Sequence, residues 1–253
     1  MKIAIITPIP DLNKYATLSD YHLTLAHLAL ESDEYVSFYK DRVSKGDFVI
    51  LDNSAHELGE GLDVDTCIKV AKAMNACEMV LPDKIGDGEI TLKMAKESLD
   101  KVRAQLPGTQ VMAVPQGKTI YEYKKCLEGL LNIGVDTIGI AKSSELLDGG
   151  INTSIEAILD TKTNVNMHLL GWGKNMNALY KVGLLYSDRI RGTDSAKALT
   201  YARAGLYINL DPYGVQPGLT QRQADFFGVS IEHDAQALHN VNVFRSWANG
   251  IFI

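Results

Sequence analysis

With 253 residues, 46% of them hydrophobic and 22% charged, the chain has an ordinary globular composition and is long enough for a full (β/α) barrel. A net charge of −6 is unfavourable for a nucleic-acid binder taken as a whole, so where the cations lie matters more than their sum. No apolar run approaches the ~20 residues that span a bilayer, and Met1-Lys-Ile-Ala-Ile-Ile-Thr-Pro reads as a first strand, not a signal peptide. The expected setting is the cytoplasm, with no membrane partner.

In chain order, short β-rich runs alternate with helical periodicity at the spacing of repeated βα units. The predicted strands are 3–7, 35–39, 48–51, 79–81, 111–114, 137–140, 167–170 and 189–192. Helices are predicted over 19–30, 63–76, 88–105, 119–132, 151–160, 174–182 and 195–204. In 88–105, Ile90, Met94, Leu99 and Val102 mark an apolar side, and Pro107-Gly108 stops the helix. Eight strands with helical crossovers and no linker predict one (β/α)8 TIM barrel domain over 1–253. Residues 206–253 form its C-terminal turn-and-helix extension, with helices at 219–228 and 232–248. The last of these, carrying Trp247, has a packing role against the outer ring or bottom. Cys67, Cys77 and Cys126 are unclustered and read as reduced core thiols.

The strand ends are unusually polar. They read Asp52-Asn53-Ser54-Ala55-His56-Glu57, Pro82-Asp83-Lys84, Pro115-Gln116-Gly117-Lys118, Ala141-Lys142-Ser143-Ser144-Glu145, Gly171-Trp172-Gly173-Lys174 and Thr193-Asp194-Ser195. One aspartate at such a junction is commonly a helix N-cap. Three of them, Asp52, Asp83 and Asp194, with Gln116 and small neighbours, point instead to an active site at the strand C-termini. Lys84, Lys118, Lys142, Lys174 and Lys197 stand where helices begin, a placement that opposes the helix dipole and costs about 0.3–1 kcal/mol each. Loop lysines are common, but a ring of ammonium groups would hold a polyanion's phosphates without reading sequence.

In this order the strand ends resemble the tRNA-guanine transglycosylase family. The family's Asp-Ser-Gly-Gly-Phe-Gln is similar to Asp52-Asn-Ser-Ala-His-Glu57, and its Val-Gln-Gly to Val114-Pro-Gln-Gly117, with one extra proline. Ile-Gly-Gly-Leu followed by Glu resembles Ile138-Gly-Ile-Ala141 and Glu145, with Ile140 standing for a glycine. Leu-Met-Gly-X-Gly resembles Leu169-Leu-Gly-Trp-Gly173. The nucleophile segment, with its later Arg and Gly, resembles Asp194-Ser195, Arg203 and Gly205. The family's Cys-X-Cys-X-X-Cys zinc site has no counterpart, since no cysteine follows Cys126. That departure is shared with compact phage-type enzymes that install 7-deazaguanine in DNA.

The resemblance implies a pentosyltransferase that exchanges guanine for a 7-deazaguanine in DNA, with tRNA as the alternative substrate. Asp194 would be the nucleophile and Asp52 the general acid/base. Base recognition would fall to Asp83, Gln116, Gly117, Asn53, Glu145 and the Gly139-Ile140-Ala141 backbone. Lys84, Lys118, Lys142, Lys174, Lys197 and Arg203 would meet the phosphates. The expected partners are the polynucleotide and a free base of the preQ0 kind, with no cofactor and no metal. Chemistry agrees, because breaking an N-glycosidic bond builds positive charge at C1′ that a carboxylate stabilises and then captures, while the leaving purine needs a proton. The target nucleotide must leave its stack. Three other readings compete: a Schiff-base lyase using Lys142, a metal hydrolase, and a non-catalytic nucleic-acid-binding barrel. The histidines lack ligand spacing at strand ends, and aspartates at a phosphate-binding mouth would hinder simple binding.

Overall fold

The computed structural model describes every residue except 143, 145–146, 148–149, 173–175 and 220–227, together with the side chain of Met176. Its strands are β1 (Lys2–Ile5), β2 (Tyr21–Leu25), β3 (Phe48–Asp52), β4 (Glu78–Val80), β5 (Gln110–Ala113), β6 (Thr137–Ala141), β7 (Asn166–Leu170) and β8 (Gly192–Ser195). They form one eight-stranded parallel sheet in the order β1-β8-β7-β6-β5-β4-β3-β2. The helices among the described residues are α1 (Leu12–Tyr15), α2 (Ala26–Glu31), α3 (Asp33–Ser44), α4 (Ala55–Leu58), α5 (Val64–Met74), α6 (Gly88–Gln105), α7 (Ile120–Asn132), α8 (Gly150–Asp160), α9 (Met176–Tyr186), α10 (Lys197–Arg203) and α11 (Asp234–Ala248). The fold class is the expected (β/α)8 barrel with C-terminal helices. No helix among the described residues is long and apolar enough to cross a membrane.

Local chemistry sets the helix starts. Ser32, Asp63, Asp87 and Thr119 each cap a helix by accepting a backbone N–H three residues on, from Tyr35, Thr66, Ile90 and Glu122. The strands are buried on both faces, as parallel strands under helices must be, and Val49, Ile50 and Leu51 of β3 are wholly enclosed.

The chain packs as two compact units, residues 23–170 and residues 1–22 with 171–253. In the first, β3 to β7 alternate with α4 to α8, close to the predicted register. In the second, α11 packs on α9, α10 and β1 with Trp247 fully buried, which matches its predicted packing role.

Three expectations are corrected. Residues 35–39, predicted as a strand from their aromatic and β-branched content, lie inside α3. Ser32 caps the helix, Asp33 and Glu34 fill its first turn, and Tyr35 and Tyr39, four apart, bury one face with rings 4.9 Å from each other. Residues 19–30, predicted as a helix, instead give β2 followed by α2. All five residues of β2 are buried, and an apolar run enclosed on both sides carries no period that separates strand from helix. The last strand begins three residues later than predicted, at Gly192 instead of Arg189. The N–H groups of Arg189 and Ile190 still bond to Tyr186 O at the end of α9, whereas β1 pairs with 192–195. Gly192 is required there because a Cβ would lie 2.5 Å from the Tyr21 ring. Asp194 is therefore inside β8, not beyond it. Of the predicted helix 219–228, residues 220–227 lie outside the described residues.

Candidate functional site

The unit of residues 23–170 gathers three neighbouring strand ends around one carboxylate. Asp83, just past β4, accepts from Asn53 Nδ2 on one oxygen at 3.2 Å and from Gln116 Nε2 on the other at 2.7 Å. Both amides are anchored elsewhere. Gln116 Oε1 accepts from Gly86 N at 3.1 Å, Asn53 Nδ2 also donates to Leu81 O at 3.0 Å, and Asn53 Oδ1 accepts from Ala55 N at 2.9 Å. Among the described residues no cation pairs with Asp83. Burial pushes its pKa up, and the two amide donors pull it back by favouring the ionised form.

Asn53 and Gln116 are nearly inaccessible. The backbone that carries Gln116 is gripped from two sides. A Cβ on Gly88 at the start of α6 would lie 2.5 Å from Gln116 O, and one on Gly117 would lie 2.5 Å from Tyr123 N in α7. Only glycine permits those approaches.

Asp52 closes β3, and its Oδ2 accepts from Ser54 N at 2.8 Å. Ser54 holds a left-handed backbone at φ 61°, uncommon for a residue with a Cβ and costing about 1 kcal/mol or more. The turn is held by its Oγ, which accepts from His27 N at 3.2 Å, and by Leu62 N donating to Asn53 O at 3.0 Å. Cys67 lies near enough to feel Asp52, and burial first and that charge second push its thiol up to about 12. It is protonated at neutral pH and a poor nucleophile. All three cysteines are free thiols.

On β6, a Cβ at Gly139 would meet Leu170 and Met112 within 2.9 Å, so neighbouring side chains already fill that space. Side chains alternate along a strand, so fully buried Ile140 faces away from the side that Gly139 and half-buried Ala141 share. Lys84 and Lys118 are exposed and Lys142 is half-buried. Glu145 and Lys174 lie outside the described residues. A polar hollow of about 410 Å³ opens at the opposite, N-terminal ends of β5 to β7, lined by Gln110, Asp136, Thr163 and Asn166 among others. Asp136 is already engaged there by Val111 N and Arg103. Chemistry is expected at the other end of such a barrel.

The second unit carries Asp194, buried within β8. Gly171 N–H donates to both its carboxylate oxygens at 3.1 Å, and Trp172 N donates to its carbonyl at 3.0 Å. Gly171 presents that N–H from a left-handed turn at φ 68°, where a Cβ would meet no neighbour. Half-buried Lys197 begins α10 and lies 6.0 Å over the Tyr201 ring, and half-buried Arg203 ends the same helix.

Sequence reasoning missed three contributors: the amide brace of Asn53, the strained turn at Ser54, and the Gly171 N–H. Gly171, a glycine directly after an apolar strand, was the one readable hint. A (β/α)8 barrel whose strand-end loops hold carboxylates on amide and backbone donors is the class that fold and site define. Compared with known protein families the chain matches none, and no curated protein matches it.

Proposed function

We propose that the protein is a nucleic-acid guanine transglycosylase, a pentosyltransferase that replaces guanine by a 7-deazaguanine through a covalent glycosyl-aspartate. The observation that carries this reading is Asp83, a desolvated carboxylate braced from behind by two amides and paired with no cation among the described residues. Its remaining lone pairs call for a partner with two adjacent donors. Guanine offers N1–H and its exocyclic NH₂, an arrangement adenine lacks. The remaining Gln116 N–H suits the carbonyl edge of the same base.

In this reading the C1′–N9 bond of the target nucleotide breaks as a bond from C1′ to an Asp194 carboxylate oxygen forms. Asp52 gives a proton to the departing guanine and takes one from the incoming base, which then displaces Asp194 from C1′. The Gly171 N–H stabilises the ionised nucleophile in the ground state and receives it back on release. Lys84, Lys118, Lys142, Lys174, Lys197 and Arg203 are the proposed phosphate contacts. DNA is the favoured substrate because the cysteine cluster of the tRNA enzymes is missing from this sequence. The test offers radiolabelled guanine and a 7-deazaguanine with DNA and tRNA side by side. Label entering DNA is the expected result. Label entering tRNA alone would reverse the substrate choice, and no label in either would end the reading.

A further inference from the structure

Asn53 is spent entirely inside the protein. Its two N–H groups go to Leu81 O and Asp83 Oδ1, its Oδ1 takes Ala55 N, and its backbone oxygen takes Leu62 N. The loop packs closely on it: a Cβ on Gly61 would lie 3.2 Å from Asn53 Cγ, a tight contact. Nothing in this arrangement leaves the Asn53 side chain a hydrogen for a ligand.

We propose that Asn53 is a positioning residue that sets base specificity by holding Asp83 as an acceptor-only carboxylate, a role that rests on the guanine-exchange reading. The chemistry runs through the protonation state of the neighbour. An ionised Asp83 accepts twice and fits the paired donors of a guanine edge. A protonated Asp83 donates once and accepts once, which fits the N1 acceptor and exocyclic amine of an adenine edge. A buried carboxyl with no counter-cation drifts toward the protonated form, and amide donors oppose that drift. Asn53 and Gln116 supply those donors from opposite sides. Titratable groups near the clamp include Cys126 of α7, whose thiol is pushed up by burial and then by the charges of Asp83 and Asp87, Asp87 itself, Asp52 beside Asn53, and exposed Lys84 beside Asp83. Of these only Lys84 is a cation, and it forms no ion pair with Asp83. Asn53 thus lets a neutral brace do the work that a lysine or arginine would do, without offering the ligand a competing cation.

The decisive experiment measures binding of free 7-deazaguanine and 7-deazaadenine across pH for the full chain, its Asn53→Ala and Asn53→Asp variants, and follows the Asp83 carboxyl by ¹³C NMR titration. In Asn53→Ala the Asp83 titration should move up. Guanine-type affinity should fall by about ten- to a hundredfold at low pH and recover as pH rises, and adenine-type binding should appear at low pH. Asn53→Asp keeps the acceptor for Ala55 N, so the turn is retained, but it faces Asp83 with a second carboxyl. The pair should share a proton, which raises its last ionisation further, so guanine-type binding should recover only at a still higher pH than in Asn53→Ala. A purely structural role would lower both affinities equally at every pH. That result, or an Asp83 titration unmoved in Asn53→Ala, would overturn the proposal. Were wild type to bind neither base, the functional reading would fail, and the carboxyl titration would still decide whether Asn53 holds Asp83 ionised.

Discussion

Asp83, half-buried just past β4, and Asp194, buried within β8, are carboxylates held by different means. Asp83 rests on two side-chain amides from neighbouring loops, each anchored in turn to backbone. Asp194 rests on a backbone N–H that a glycine turn delivers to both of its oxygens. A side-chain brace changes with one codon, so it suits a group whose partner must be selected. A backbone brace persists through almost any substitution nearby, so it suits a group whose chemistry must stay fixed. On the proposed reading the side-chain brace falls to the recognition group and the backbone brace to the nucleophile.

The sharpest way to break that contrast is Asp194→Asn. Exchange should fall by at least about a thousandfold while polynucleotide binding stays measurable in a gel-shift assay. Retained turnover would mean the nucleophile lies elsewhere. Next comes Gln116→Ala, which removes the shorter of the two donors to Asp83. It should raise KM for the free base by roughly ten- to a hundredfold and leave kcat for bound substrate much less affected. An equal loss in both parameters would put Gln116 in the bond-making step.

Gly171→Ala tests the other half. The new methyl meets no neighbour, so the whole effect is the left-handed backbone, about 1–2 kcal/mol for a residue with a Cβ. The expected result is a modest drop in melting temperature and a fall in kcat of about tenfold with KM unchanged. An unaltered kcat would show that the Gly171 N–H is dispensable.

The smallest effect concerns pH. The pKa of Asp83 is raised in the folded state, so the native chain holds this proton when the unfolded chain has already lost it. Stability from this group is fully present below the ordinary aspartate pKa and is lost as pH rises through the raised value. Thermal melts of wild type should carry that decline, and Asp83→Asn should remove it. Identical pH profiles would mean that the amides offset burial completely.

How much of this could be read in advance depends on what each residue says about its surroundings. β3 to β7 were legible because a short apolar run breaks abruptly into Asp, Gln, Gly and Lys. β2 and α3 were exchanged for opposite reasons. Tyr21–Leu25 is enclosed on both faces and has no period, whereas the aromatic content of α3 outweighed its Ser32 cap and acidic first turn. Asp52, Asp83 and Gln116 could be singled out as polar groups at strand ends. What Asn53 does with its amide could not, because its partners, Leu81 O and Asp83, come from a separate strand and one of them is backbone. Backbone donors such as Gly171 N–H leave no mark in a sequence beyond the glycine itself.

Gly88 and Gly117 lock the main chain on either side of Gln116, and that rigidity has a practical side. On the proposed reading, retuning toward another nucleobase would start from a fixed chassis with two exchangeable fittings, at 53 and 116. Libraries at codon 116 would vary one hydrogen bond to Asp83 on a fixed backbone, whereas changes at 53 also touch the turn that Ala55 N closes. Altering either glycine would displace the chassis before any new preference could be read.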